Sequence, residues 1–185
     1  MALLSPPSQM DYYRVLGLDP KLQLDRNELQ QLFYQRSREL HPDRFARAEA
    51  SVRDAALLES SLLNDAYRTL RDPLARAEYV LKQGGFDISL QGTKDVPPEL
   101  LEEVFELNMA LEELKAGDES ARPQLTTARD NFEAMLAQSS IELDKLFTAY
   151  DAAPGEESLK PIRALLNRRR YIQNLLRDVN GYLSN

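Results

Sequence analysis

The sequence predicts an all-α protein, with a set of short N-terminal helices followed by a C-terminal antiparallel three-helix bundle. Apolar residues recur at three- and four-residue spacing along nearly the whole chain. No stretch alternates apolar and polar residues as a half-buried strand would. Helix-start and helix-stop signals punctuate the chain throughout. With 43% hydrophobic and 29% charged residues in a length of 185, the chain can bury a sizeable core.

Residues 1–10, with Pro6 and Pro7, read as a flexible leader. The first helix covers Asp11 to Leu16 and stops at Gly17, with Pro20 beyond it. The second runs from Arg26 to Leu40. Asp25 is a good N-cap for it, and Glu28 three residues on completes a capping-box-like pair. Its apolar face holds Leu29, Leu32, Phe33 and Leu40. Pro42 disfavours helical geometry at the preceding residue, so a loop at His41-Pro42-Asp43 ends this helix. The third helix spans Ala48 to Leu70, with Leu58, Leu62, Ala66, Tyr67 and Leu70 on one face. A fourth starts at Asp72-Pro73, Asp as cap and Pro at the first helical position, and runs to Gly84-Gly85.

The expected domains are therefore 11–84, a linker at 85–97 rich in turn residues, and a bundle over 98–185. Its helices lie near 98–116, 121–150 and 157–183, broken at Gly117 and at Pro154-Gly155. Heptad-like spacing supports each of them. The first offers Leu100, Val104, Leu107, Leu111 and Leu114. Leu125, Ala128, Phe132 and Met135 continue through Leu143, Leu146 and Tyr150 in the second. The third carries Ile162, Leu165, Ile172, Leu175, Val179 and Tyr182.

Composition narrows the chemistry. The chain has no Cys and one His, which removes thiol catalysis and disulfides and leaves almost nothing for a structural zinc site. The 23 Lys and Arg against 30 Asp and Glu give a net charge of −7. That balance lacks the basic footprint of a nucleic-acid binder and does not suit an anionic membrane surface. No apolar run approaches the roughly 18 residues that span a bilayer. The first ten residues carry no positive charge, so neither a secretory signal nor a transit peptide is expected. The expected compartment is the cytoplasm.

The lone histidine lies in His41-Pro42-Asp43. By residue type it fits a catalytic pair, half of a metal site or a recognition loop. Catalysis lacks support: Ser37 is near in sequence, but there is no nucleophile elbow, and none of the 7 Gly forms a phosphate cradle. No catalytic residue, metal ligand or cofactor is expected. The flanks favour recognition. Arg26, Arg36 and Arg38 lead in, Arg44 and Arg47 follow, and the next helix ends in Asn64-Asp65-Ala66-Tyr67-Arg68-Thr69-Leu70-Arg71-Asp72-Pro73.

Together with Tyr12-Tyr13 and Leu16-Gly17, these motifs make residues 11 to 72 resemble a J-domain, the DnaJ-type module that binds a DnaK-type chaperone and stimulates its ATPase. The resemblance implies that His41, Pro42, Asp43, Arg36, Arg38 and Arg44 meet the chaperone. Arginines on a helix face suit an acidic groove, and Asp43 suits a partner's basic group. Pro42 holds the loop in one shape and reduces the ordering cost of binding.

The continuation Pro73-Leu74-Ala75-Arg76-Ala77-Glu78-Tyr79-Val80-Leu81, then Gly85-Phe86-Asp87, resembles the junction of the HscB family. Members of that family join a J-domain to a three-helix bundle and serve iron–sulfur cluster assembly. The resemblance implies a co-chaperone, not itself an enzyme, with two partners. One is a DnaK-type, HscA-like chaperone; the other is an IscU-like scaffold carrying the nascent cluster. Some eukaryotic relatives add an N-terminal Cys-rich zinc segment, which is not found here, so a bacterial-type cytoplasmic member is expected.

The resemblance also implies that Leu101, Phe105, Glu106 and Tyr171 bind the scaffold. Glu102 stands where an apolar residue is expected, and Met109 where an acidic one is. From helical geometry alone Phe105 has two readings, core or exposed patch, because Leu101, Phe105 and Met109 step onto a face beside the core stripe. Arg168-Arg169-Arg170 is expected to pair with the glutamate-rich first bundle helix or to be solvated, rather than to touch nucleic acid. Two other classes stay open: a J-protein with a different client in general folding, and a helical interaction protein that does not stimulate.

Overall fold

Local hydrogen-bonding chemistry sets where the helices begin and end. A computed structural model of the protein describes residues 11–86 and 97–184. The expected leader at 1–10 and most of the expected linker, 87–96, lie outside the described residues. Among the described residues there are helices and no strand, so the fold is all-α. Helix α1 (Tyr12–Leu16) starts where the Asp11 side chain accepts from the Tyr13 amide and ends at Gly17, whose φ of 74° is left-handed. Helix α2 (Arg26–Glu39) starts where Asp25 Oδ1 accepts from the Glu28 amide at 2.8 Å. Helix α3 covers Ala50–Arg71. The break to α4 (Pro73–Gln83) is made by Asp72, whose Oδ1 accepts from the Ala75 amide at 2.8 Å.

The chain divides into two units between Val80 and Leu81, inside α4. In the first unit α3 is the spine. Its Ala56, Leu63, Ala66 and Leu70 are buried against Tyr13 and Leu16 of α1 and Leu29 of α2. The Phe33 and Tyr67 rings stack at 4.1 Å and join α2 to α3. The inward face differs from the expected one, because Leu58 is 63% exposed. Four-residue steps drift by about 40° each, so the ladder from Leu58 to Leu70 turns roughly 120° away from the core. Arg76 is buried, and its Nη1 donates to the Leu70 carbonyl at 2.7 Å. That bond serves an acceptor in the last turn of α3 which the helix itself cannot satisfy.

The second unit holds α5 (Leu101–Lys115), α6 (Arg122–Ala152) and α7 (Glu156–Leu183). Single helical turns at Pro98–Leu100 and Glu119–Ala121 precede α5 and α6. Leu100, Val104, Leu107 and Leu111 pack with Leu125 and Phe132 of α6 and Ile172, Leu176 and Val179 of α7. The buried residues Leu143, Phe147, Leu159, Ile162 and Leu165 extend the core toward the α6–α7 turn. Tyr182, expected in the α7 stripe, is exposed and lies under the Lys115 ammonium, 6.0 Å from its ring centroid. Three residues beyond Val179 the helix has turned about 60° off the core. Gly84 also belongs to this unit. A Cβ there would meet Leu159 Cδ1 at 2.7 Å, so any larger residue would make that leucine side chain shift.

The arginine run follows its expected pairing only in part, through Arg168 and Glu99. Arg168 Nη2 meets Glu142 Oε2 of α6 at 2.5 Å, with Glu99 Oε1 at 3.9 Å from Nη1. Arg169 is buried: Nη1 donates to the Leu136 carbonyl at 2.8 Å, to Ser140 Oγ at 3.0 Å and to Ser139 Oγ. Burial pushes its guanidinium pKa down. The cause is packing: α7 lies along α6, whose Leu136, Ser139 and Ser140 form a polar notch that receives a long donor.

Candidate functional site

His41 is the N-cap of a short 3-10 turn, Pro42–Phe45, between α2 and α3. Pro42 occupies the first position of that turn, where its missing N–H costs nothing. His41 Nδ1 accepts from the Asp43 amide at 3.3 Å, and the Arg44 amide donates to the His41 carbonyl at 3.0 Å. A ring nitrogen that accepts carries no proton, so in the neutral ring this cap bond leaves the proton on Nε2. The Asp43 carboxylate lies 3.5 Å from the same Nδ1.

The turn faces solvent. The side chain of His41 is 58% exposed and that of Asp43 90%. Arg36, Arg38 and Arg44 are exposed as well. Arg36 is partly engaged, because its Nη1 lies 3.6 Å from Glu39 Oε2. Arg38 and Arg44 have no ion pair among the described residues. What the sequence groups as one recognition loop is therefore a self-capped turn with an exposed carboxylate and, beside it, two guanidinium groups without an ion pair among the described residues. Such a surface offers hydrogen-bond donors, one carboxylate acceptor and mobile positive charge.

The second surface lies on the bundle. Leu101, Phe105 and Met109 point outward, 56%, 67% and 52% exposed, while Val104 and Leu107 face the core. Of the two readings of Phe105, the structure places it outside. Phe105, Glu106 and Met109 line a groove of about 510 Å³ whose other wall is α6. Leu101 and Tyr171 do not line it. Tyr171 is half-buried on α7 and packs against the bundle core, and that burial pushes its phenol pKa up. So the four expected scaffold contacts divide, with Phe105 and Glu106 on the α6 side and Tyr171 on α7. The α6 wall, including Thr127 and Asn131, was invisible to sequence reasoning, because nothing local marks polar residues that share a groove with a distant helix. Among the described residues no helix is long and apolar enough to cross a membrane.

Residues 11–79 match the family model described as the DnaJ domain, and residues 96–180 match the HSCB C-terminal oligomerisation domain. The chain is similar to the solved structure of the chaperone HscB from Vibrio cholerae, at 28% identity and a TM-score of 0.60, covering 93% of this chain and 96% of that one. It is also similar to the crystal structure of the human co-chaperone protein HscB, at 26% identity and a TM-score of 0.65, covering 97% of this chain and 85% of that one. Both family models match in the order J-domain then bundle, and the solved HscB structures run across both. The chain belongs to the HscB-type J-domain co-chaperones.

Proposed function

We propose that the protein binds an IscU-like iron–sulfur cluster scaffold through its bundle, presents it to an HscA-like DnaK-type chaperone in the cytoplasm, and stimulates that chaperone's ATPase through the His41-Pro42-Asp43 turn. The observation that carries this reading is the self-capped turn. Its backbone is already ordered by His41 Nδ1 and Pro42, and its Asp43 carboxylate is almost wholly exposed. A preordered turn loses little conformational entropy on docking. Asp43 is the acceptor for a basic group on the chaperone, His41 Nε2–H is a donor, and Arg36, Arg38 and Arg44 steer the encounter. On the bundle, Leu101, Phe105, Glu106 and Tyr171 form the scaffold surface. Exposed large apolar groups beside carboxylates mark such interfaces.

The test is a steady-state ATPase assay of an HscA-like chaperone with this protein, with and without an IscU-like scaffold. Stimulation should appear with the unsubstituted chain and vanish with His41→Gln, whose circular dichroism should be unchanged. Phe105→Ala should remove only the part of the stimulation that depends on scaffold. Undiminished stimulation by His41→Gln would sink the mechanism.

A further inference from the structure

We infer that Met109 is a reversible oxidation site, at which hydrogen peroxide converts the thioether to a sulfoxide and weakens scaffold binding. The inference rests on the reading that the bundle binds a scaffold, and it adds a means of regulating that contact. The chain has no Cys, so no thiol of its own competes for the oxidant, and its 4 methionines are the sulfur available. Met1 and Met10 lie outside the described residues. Met135 of α6 is half-buried and packs against the bundle core. Met109 of α5 is 52% exposed. Among the described residues it is therefore the thioether most open to a dissolved oxidant.

The neighbours of Met109 give its oxidation a consequence. Phe105 stands four residues before it and is exposed too, so the two side chains adjoin on one face of α5. Both line the groove against α6. Position 109, where the HscB resemblance implies an acidic residue, thus holds an apolar one that continues the surface of Phe105. In the reaction one oxygen atom is transferred. The sulfur gains an S–O bond and gives up two electrons, the peroxide O–O bond breaks, and the peroxide is reduced to water. A flexible apolar side chain becomes a polar one with a strong acceptor oxygen. Covering that oxygen with an apolar partner strips its water without replacement, which is unfavourable. The core is spared, because Val104, Leu107 and Leu111 occupy the buried side of the same helix.

The test treats the full-length protein alone with dilute hydrogen peroxide and removes the oxidant before a purified apo-scaffold is added. Peptide mapping by mass spectrometry should show sulfoxide at Met109 forming at least about threefold faster than at Met135. Calorimetric titration of the treated chain should then give a Kd raised by about threefold to tenfold, with an unchanged thermal midpoint. Methionine sulfoxide reductases for both epimers, with dithiothreitol supplying the two electrons, should restore the affinity. Met109→Leu keeps the other three methionines; it should bind before treatment and be insensitive to peroxide. Met109→Gln, polar and uncharged, should bind weakly without treatment. Unchanged affinity in a chain mostly oxidised at Met109 overturns the inference and leaves the scaffold reading standing. Equal loss in treated Met109→Leu, or sulfoxide forming first at Met135, overturns it as well. No binding by the untreated chain sinks the scaffold reading and this inference together.

Discussion

The two candidate surfaces are built by opposite means. The His41 turn is made by its own neighbours: Asp43 donates to His41, Arg44 donates to His41, and Pro42 fixes the first dihedral. Every bond that shapes it spans three residues or fewer. The bundle surface is made by what it leaves over. Val104, Leu107 and Leu111 take the core, α6 closes one side, and Phe105 and Met109 are left facing water. A locally specified site can present charge with little support from a core. A tertiary site depends on packing for its existence, and it can expose aromatic surface whose burial on a partner is worth about 1.5–3 kcal/mol per side chain. One chain thus carries a directional, polar contact and an area-driven, apolar one.

If the comparison is right, disturbing the bundle core should cost the second surface and spare the first. Phe132→Ala removes a fully buried ring from beneath the groove and should destabilise the bundle by about 3–5 kcal/mol. Hydrogen exchange should then show lost protection in α5–α7, with α2 and α3 unchanged. Next comes Arg169→Ala, which strips a buried donor from Ser139 and the Leu136 carbonyl. It should cost about 2–3 kcal/mol in urea denaturation. Arg169→Met, which restores the apolar stem but leaves the same acceptors unserved, should recover less than half of that loss.

On the turn, Pro42→Ala leaves the cap bonds in place and frees the backbone of the unbound state. It should weaken the chaperone interaction by about 0.4–1 kcal/mol, a roughly two- to fivefold rise in the half-maximal concentration for ATPase stimulation. Phe105→Ala, conversely, should move the unfolding midpoint hardly at all, within about 0.5 kcal/mol, although it acts on scaffold binding. The smallest effect is electrostatic. Burial raises the phenols of Tyr150 and Tyr171 above their ordinary 10.0, so the folded state favours the neutral form. That stability is fully present below pH 10.0 and is lost as pH rises through the folded values. Denaturation midpoints measured between neutral and strongly alkaline pH should fall, and Tyr171→Phe should shallow the fall.

The difference between local and tertiary specification also decides what was legible in the sequence. Asp11, Asp25 and Asp72-Pro73 mark their helix starts, and Gly17 its stop, because a cap bonds only to its own first or last turn. The bundle stripe through Leu100, Val104, Leu107 and Leu111 was readable, because one period persists along α5. Its width was not. Whether Phe105 lies inside or outside depends on how closely α6 approaches, which no window on α5 contains. Leu58 shows the same limit on α3, where a four-residue ladder looks like a face and winds out of the core. Arg169 shows another: three arginines in a row read as solvated charge, and only the notch on α6 turns one into a buried strut.

The imidazole of His41 holds a backbone proton of its own turn before any partner arrives. Its two nitrogens are thus divided between housekeeping and outreach, and substitution can pull the two jobs apart. Asparagine is a good N-cap and can take over the inward bond, but it has nothing on the outward side to match Nε2–H. Glutamine forfeits both. If recognition runs through the outward nitrogen, the two replacements behave alike in ATPase stimulation and differ in how ordered the turn remains. A His41→Asn chain that still stimulates would make the ring a latch only, leaving Asp43 to carry the message.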